Sequence, residues 1–577
     1  MSQRSKSGSG TFMSSAAKQR ETDWQKRLAE FLYRRSTLWI ILGLITVGVL
    51  IGHQLLGVID RDEARFAQAS KQMLASGDYI TPYFMDELRA KKPIAIYWLQ
   101  SASAALFGSS DIASYRLPSL LGLLTSLVLV WRFSQSLWPS SIGPVQALVS
   151  VLLLAASPLI IAEAHLAKTD SALLSIIIAQ QFFLWRVYKD RSQPLQASPW
   201  LGFWLCLSFG VLLKGPIAPL LAFTTCLVLV LVDRTAGWLK RLHIIKGLMI
   251  VACVVLPWAV AVTTATDGAF LNLAVKGDFL AKVQSAQESH GAPPGTYLLL
   301  LGLLFWPGIA FSGYIVWLGR RLWGDDAARF CVAWFAGYWL VIEFVPTKLP
   351  HYSLPSLPAL ALLCGYALTR TMPPPSKLMM WFTEAMFAVA GLFGVVFAGA
   401  LLWASVRFGG LTGGSAFLSA IIAGLLIGFC LWRIWCWRRN RRITDLFAVL
   451  GAGVLVHIIA VAGVVAGASS VHISGRLATE IQKMTTRPAA ISLVGYHEPS
   501  AVFHLGRDVF LLDASEAALF MADSSDGVAV VERRALQPFL ETAGKLDLTL
   551  VQTGQVSGFT LARGRDVELI LYRRVDP

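Results

Sequence analysis

LWIILGLITVGVLIGHQLLGVI, residues 38–59, and MMWFTEAMFAVAGLFGVVFAGALLW, residues 379–403, decide the fold. Each is an apolar run of about 17 to 25 residues, the length an α-helix needs to cross the hydrocarbon core of a bilayer. Buried helices of soluble domains are usually shorter. Such runs recur along the chain and give about thirteen spans, near 37–59, 115–137, 144–163, 171–187, 199–213, 216–232, 243–263, 297–318, 329–345, 352–370, 379–404, 414–436 and 444–467. With 55% apolar residues, 15% charged residues and 20 tryptophans, the chain carries more hydrophobic surface than soluble domains bury, so lipid must solvate most of it.

The formal charge of +15 could mark a nucleic-acid binder, but its placement excludes that class. With residues 1–36 as a basic cytoplasmic tail, the cations gather in alternate loops: Lys189/Arg191, Arg234/Lys240/Arg241/Lys246, Arg320/Arg321, Arg370/Lys377 and Arg438/Arg439/Arg441/Arg442. That is the positive-inside pattern of a polytopic membrane protein. The tail lacks a short apolar stretch before a small-residue cleavage site, so no cleaved signal peptide is expected, and its first 20 or so residues read as disordered. All seven cysteines fall in or beside apolar runs without metal-type spacing and read as core residues.

Residues 37–469 form the membrane domain, with outer loops 60–114, 164–170, 264–296 and 346–351. An odd number of spans places residues 470–577 outside. There, short apolar runs (Ala490–Val494, Val509–Leu512, Val528–Val531, Leu569–Tyr572) alternate with helix-like stretches (Glu516–Met521, Arg534–Thr542), the pattern of a small α/β domain.

The outer loops carry the chemistry. Asp60-Arg61-Asp62-Glu63-Ala64-Arg65 follows the first span directly. A carboxylate at the membrane boundary accepts or orients the proton of an acceptor hydroxyl while a nearby arginine holds phosphate, a combination suited to group transfer from a lipid phosphate. The plain alternative is a solvated helix-capping cluster. Further on, Arg89 to Leu99 joins three cations and a proline to an aromatic stretch, and reads as an interfacial helix facing lipid phosphates or as a simple anchor. Ala164–Asp170 sets a His, a Lys and an Asp at the end of a span, where charge is costly unless paired or used. Lys214 beside Gly215-Pro216 either snorkels or holds phosphate. Lys282, His290, Lys348, His351 and Tyr352 add donors. His53 and His457, inside spans, read as paired core histidines, and Tyr496-His497-Glu498 as a turn packing on the membrane part. HExxH, paired CxxC, P-loop and GxSxG patterns are absent from the sequence, which leaves metalloprotease, redox, nucleotide-hydrolysing and serine-hydrolase readings without support.

Asp62-Glu63-Ala64-Arg65-Phe66, then Met73 to Pro82, then Lys92-Pro93 before Tyr97-Trp98, resembles the first periplasmic loop of the aminoarabinose transferases, members of the C-type membrane glycosyltransferases related to the protein mannosyltransferases of glycosyltransferase family 39. The resemblance continues through Thr169-Asp170, Lys214-Gly215, His290 with Ala292-Pro293, and Lys348 to Pro355, and covers roughly residues 60 to 360. It implies an α-helical polytopic C-type fold that transfers a sugar from a polyprenyl (undecaprenyl) phosphate to lipid A or lipopolysaccharide core at the periplasmic face of a bacterial inner membrane. It also implies roles: Asp62 as general base with Asp170 as rival or partner and Glu63 in support; Arg65, Lys92, Lys214, Lys348 and Tyr352 on the donor phosphate; and Lys91, Lys282, His290 and His351 toward substrate. Direct displacement would invert the anomeric centre. The family's metal-binding Glu and His stand here as Lys91 and Phe279, so no metal or other cofactor is expected. Two alternatives remain at this stage, an enzyme like the protein O-mannosyltransferases and a transporter or flippase of lipid-linked substrate. A transporter is expected to carry ionisable groups at mid-span, whereas these gather at one face.

Overall fold

The computed structural model describes residues 36–140, 142–190, 197–275, 291–319, 321–370, 375–409, 414–484, 488–524 and 526–575. Among them, nine helices are long and apolar enough to cross a membrane: Ser36–Leu55, Ile112–Leu137, Asp170–Lys189, Ile244–Ala265, Asp326–Phe344, Pro350–Thr369, Lys377–Gly409, Gly414–Asn440 and Ile443–Val465. The chain is a multi-pass membrane protein.

The other expected spans are helical but differ in form. Gly143–Ala155 and Pro158–Ala164 meet at 69°, and Thr296–Leu304 and Ile309–Trp317 at 112°. Each break holds a proline, Pro158 or Pro307, which lacks the N–H a continuous helix needs and biases the preceding residue away from helical geometry. Pro199–Lys214 and Ile217–Asp233 are shorter apolar helices joined through Gly215 (φ 64°).

Burial sorts the helices into an inner and an outer set. Within the most apolar stretch of each, 78% of residues are buried in Pro350–Thr369 and 72% in Asp170–Lys189, against 17% in Lys377–Gly409 and 11% in Ile244–Ala265. Trp39, Leu44 and Val47 face outward from the first span while Leu42, Ile45 and Val49 pack inward. Because lipid is as apolar as the core, outward leucines cost nothing and the helix keeps its backbone bonds internal. The inner helices begin at Asp170 and just before His351, so the best-packed part of the bundle positions those residues.

The first outer loop folds as a helix, Arg61–Ser76, a two-residue hairpin (Tyr83–Phe84 with Glu87–Leu88) and a second helix, Ala95–Phe107. The latter begins later than the expected Arg89–Leu99 segment. Pro93 keeps Lys92 out of helical geometry, so Arg89, Lys91 and Lys92 lie in the turn before it.

The C-terminal part contains a five-stranded sheet in the order Val509–Leu512, Ala490–Val494, Gly527–Glu532, Arg565–Arg574, Leu550–Thr560. The first three strands are mutually parallel and the last two form an antiparallel hairpin on that edge. Four of the five strands contain the apolar runs named above. The fifth, Leu550–Thr560, is rich in Gln, Thr, Ser and Gly and mostly unburied, and therefore lacks their signal. The helix Pro499–Leu505 docks this lobe on Arg61–Ser76. Glu498 pairs with Arg61 (3.2 Å), Lys71 donates to the Phe503 carbonyl (3.3 Å), and Phe503 sits edge-on to Tyr115.

Candidate active site

Asp60 caps the Arg61–Ser76 helix by accepting from the Glu63 N–H (2.8 Å), so the capping reading of this acidic cluster is correct for Asp60. The cap places Asp62 and Glu63 in the first helical turn, where the positive end of the dipole favours carboxylates. Neighbours in sequence, they point into opposite environments.

Glu63 is fully buried. Its carboxylate takes two bonds from Arg116 (2.7 and 2.9 Å) and one from the Ala167 N–H (2.8 Å). Arg116 also donates to the carbonyls of His53, Leu56 and Gly57, which end the first span. Glu63 therefore ties the first span, the first outer loop and the second outer loop together. Its place is structural, not in contact with reactants, because no oxygen of it reaches an open surface. A lone arginine one residue into an apolar run was the signal for this latch, since such a charge must find a partner.

Asp62 is the reverse case. Its carboxylate keeps 61% of its surface open, 3.5 Å from Arg65 and 4.0 Å from Arg89. Partial burial pushes its pKa up, but Arg89, Lys168, Arg65 and Lys92 outweigh it and hold the carboxyl below the usual aspartate value. Arg89 is itself buried and lies over the Phe66 ring (4.7 Å), which fixes its approach.

The second outer loop is stitched to the first by its backbone. The Ala167 N–H donates to Glu63 and its carbonyl accepts from Gln100 (2.9 Å), the Leu166 carbonyl accepts from Ser119 (2.6 Å), and the Ala164 carbonyl bonds His53 (2.9 Å). His53 thus has a structural place, as does His457 against Trp306 and Phe397. So held, the loop aims Lys168 at Glu163 (3.4 Å) and Asp60 (3.7 Å), and Asp170 at Lys214 (2.5 Å). Burial alone would lower the Lys168 pKa; four nearby carboxylates, Glu163 first, raise it instead. Lys168 and Arg89, which the sequence marks only as outer-loop cations, belong to this cluster, as does Glu163, which nothing in the sequence marks.

The Lys214 ammonium also lies 5.7 Å from the centre of the Tyr352 ring, and Tyr352 stands edge-on to His351 (5.0 Å). Asp170, Lys214, Lys168 and Lys92 all act electrostatically on His351. The structure thus brings Asp62, Arg65, Lys92, Asp170, Lys214, His351 and Tyr352 into one charged zone, with Lys91 exposed in the turn beside Lys92. Lys348 turns away: its ammonium donates to the carbonyls of Ile342 and Glu343 (2.8 and 2.5 Å), capping the Asp326–Phe344 helix end. That geometry gives Lys348 a structural place, with two of its three N–H donors taken by the preceding turn. Lys282, His290, Asp278 and Phe279 lie outside the described residues.

Residues 91–260 match the family described as dolichyl-phosphate-mannose-protein mannosyltransferase. The chain is 28% identical over 343 residues to an undecaprenyl phosphate-alpha-4-amino-4-deoxy-L-arabinose arabinosyl transferase of Pseudomonas fluorescens, an alignment covering 58% of this chain and 60% of the relative. A relative of that name from Erwinia tasmaniensis is 25% identical over 396 residues, 67% of this chain and 68% of the relative. The structure superimposes on ArnT of Cupriavidus metallidurans bound to undecaprenyl phosphate with a TM-score of 0.72 at 20% identity, covering 92% of this chain and 98% of that one. The chain shares the fold of these membrane glycosyltransferases and is similar in sequence to the aminoarabinose transferases.

The archaeal oligosaccharyltransferase of Archaeoglobus fulgidus shares this C-type fold more distantly, at a TM-score of 0.50 and 10% identity over 90% of this chain and 70% of that one. Sequence alignment spans about three fifths of the length of the first curated relative.

Proposed function

We propose that this chain transfers a glycosyl group from a polyprenyl-phosphate sugar to an envelope acceptor, lipid A or lipopolysaccharide core, at the periplasmic face of a bacterial inner membrane. The observation that carries this reading is the open carboxylate of Asp62, set among Arg65, Arg89, Lys92 and Lys168 at the membrane boundary. An anion that accepts or orients an acceptor proton stands beside cations that bind a phosphate, which is the pairing a lipid-phosphate donor demands.

In this reading the acceptor oxygen attacks the anomeric carbon opposite the phosphate. The new bond forms as the carbon–oxygen bond to phosphate breaks, and the electron pair leaves with the polyprenyl phosphate. Lys92, Arg65 and Lys214 offset the charge that grows there, while the acceptor proton passes to Asp62 and then to water. Displacement from one side inverts the anomeric centre. Asp62 also stabilises positive charge building on the sugar ring, for which its ionised state is suited. Asp170, bonded to Lys214, orients that ammonium, and His351 and Tyr352 border the same zone.

At one of the two family positions that hold a metal, Lys91 brings a positive charge where the resemblance implies a carboxylate; the other, Phe279, lies outside the described residues. We assign the phosphate subsite to lysine and arginine without a metal.

The match to protein mannosyltransferases favours a second reading, in which the acceptor is a protein hydroxyl. Mass spectrometry of lipid A, lipopolysaccharide core and envelope proteins from cells with the intact gene, a deletion and an Asp62→Asn variant separates the readings. A sugar missing from lipid A or core in both altered strains supports the first, and one missing from protein the second. An unchanged glycan profile in the deletion, with the intact protein expressed, refutes both and returns the chain to transport.

A further inference from the structure

On the membrane face opposite the Asp62 zone, three helix ends enclose a pocket of about 260 Å³ lined by Tyr314, Trp317, Arg370, Trp437 and Arg441 among others. The positive-inside rule makes this the cytoplasmic face. Arg441 stacks over Tyr314 (4.4 Å) and lies 5.4 Å from Trp317, and its backbone is held at φ 54° just past the Gly414–Asn440 helix. Arg370 lies over Tyr366 (5.2 Å).

Among the described residues no carboxylate lines the pocket; Glu384, which acts on Tyr314, is paired with Arg438 (2.9 Å). The Tyr314 hydroxyl, on a side chain only 2% exposed, faces two donors, the Arg441 guanidinium and the Trp437 indole. Tyr314 Oη, Trp437 Nε1 and Arg370 Nε are buried without a partner of hydrogen-bond geometry among the described residues. Such groups are normally satisfied by protein, water or ligand. Asp325, a carboxylate on the same face, is engaged by Trp138, Tyr366 and the N–H groups it caps.

We propose that this pocket binds the phosphate of an anionic phospholipid of the cytoplasmic leaflet. An oxyanion in the pocket accepts from the Arg370 and Arg441 guanidinium groups, with Tyr314 and Trp437 forming the wall that holds Arg441, while the indole rings flank the acyl-chain boundary where tryptophan is favoured. Simple snorkelling explains outward-reaching arginines but not guanidinium groups held over the Tyr366 and Tyr314 rings beside a concave space. The site is distinct from the donor-phosphate subsite, which lies at the other membrane face.

Native mass spectrometry of the full chain, titrated with cardiolipin, phosphatidylglycerol, zwitterionic phosphatidylcholine and inorganic phosphate, tests this. The anionic lipids should be retained in preference to phosphatidylcholine, and Arg370→Gln with Arg441→Gln should weaken their retention roughly tenfold, as loss of charge-assisted bonds implies. Lys377→Gln with Arg439→Gln removes the same charge outside the pocket and should leave retention near wild type. Tyr314→Phe, which keeps the ring, should show a smaller loss and serves if the arginine pair fails to fold. Equal losses in both arginine pairs, or no preference for anionic lipid, overturn the proposal. Binding of inorganic phosphate that displaces the lipids would make the pocket a free-phosphate site and overturn it equally.

Discussion

The outer-face cluster and the C-terminal lobe are both crowded with ions, yet they use them differently. In the lobe, Glu532 is shared by Arg534 and Arg565, Glu568 by Arg533 and Gln555, and Asp526 by Arg573. Glu568 and Asp526 meet their cations near the surface, where solvent screens the pair, and the buried Glu532 is closed off by its two arginines. At the outer face, one open carboxylate is held by four cations while its sequence neighbour is sealed inside the fold. What sets the proposed site apart is charge that is surrounded but left incomplete, not charge density. Lys348 makes the same point, since two of its three donors close the end of its own preceding helix.

Asp62→Asn breaks that contrast most sharply. It should lower single-turnover transfer about a thousandfold, the range for removing a group aimed at the reacting centre, with thermal stability unchanged. Glu63→Ala, one residue on, should act through folding instead. Leaving Arg116 buried and unpaired costs about 3–5 kcal/mol, read as a lowered midpoint in detergent melts. If Glu63→Ala instead kept full stability and lost only turnover, the division between the two residues would be wrong.

Lys92→Met should raise the KM for a polyprenyl-phosphate sugar roughly tenfold, as expected for one charge-assisted phosphate contact. The pH profile sharpens the comparison further. Because the cations hold Asp62 below the usual aspartate pKa, it stays ionised as pH falls through the range where an ordinary aspartate protonates. The acid limb of the rate should therefore lie at lower pH than for a free carboxyl, and Arg89→Gln should move it upward. The smallest effect belongs to the lobe: Arg533→Ala should leave both melting and transfer unchanged.

The membrane fold was legible because apolar runs of spanning length need no partner to be recognised, and each of the thirteen stretches is helical. Two of them bend where proline removes a backbone donor, a local feature visible at Pro158 and Pro307. Four sheet strands announced themselves by apolar runs, while Leu550–Thr560, a partly solvated edge of the sheet, did not. The zone around Asp62 followed from the order of short motifs in the outer loops. Its supports were harder to see. Arg116, Gln100 and Ser119 act on backbone groups distant in sequence, and the opposite orientations of Asp62 and Glu63 depend on how a capped helix docks against the second outer loop.

The most direct measurement is single-turnover transfer by the purified full-length protein in proteoliposomes, with a polyprenyl-phosphate sugar and lipid A, comparing wild type with Asp62→Asn alongside donor binding. Donor binding retained within a few-fold and transfer lost about a thousandfold is the predicted result. Transfer by the variant at the wild-type rate would contradict the assignment of the reaction to the open carboxylate of Asp62.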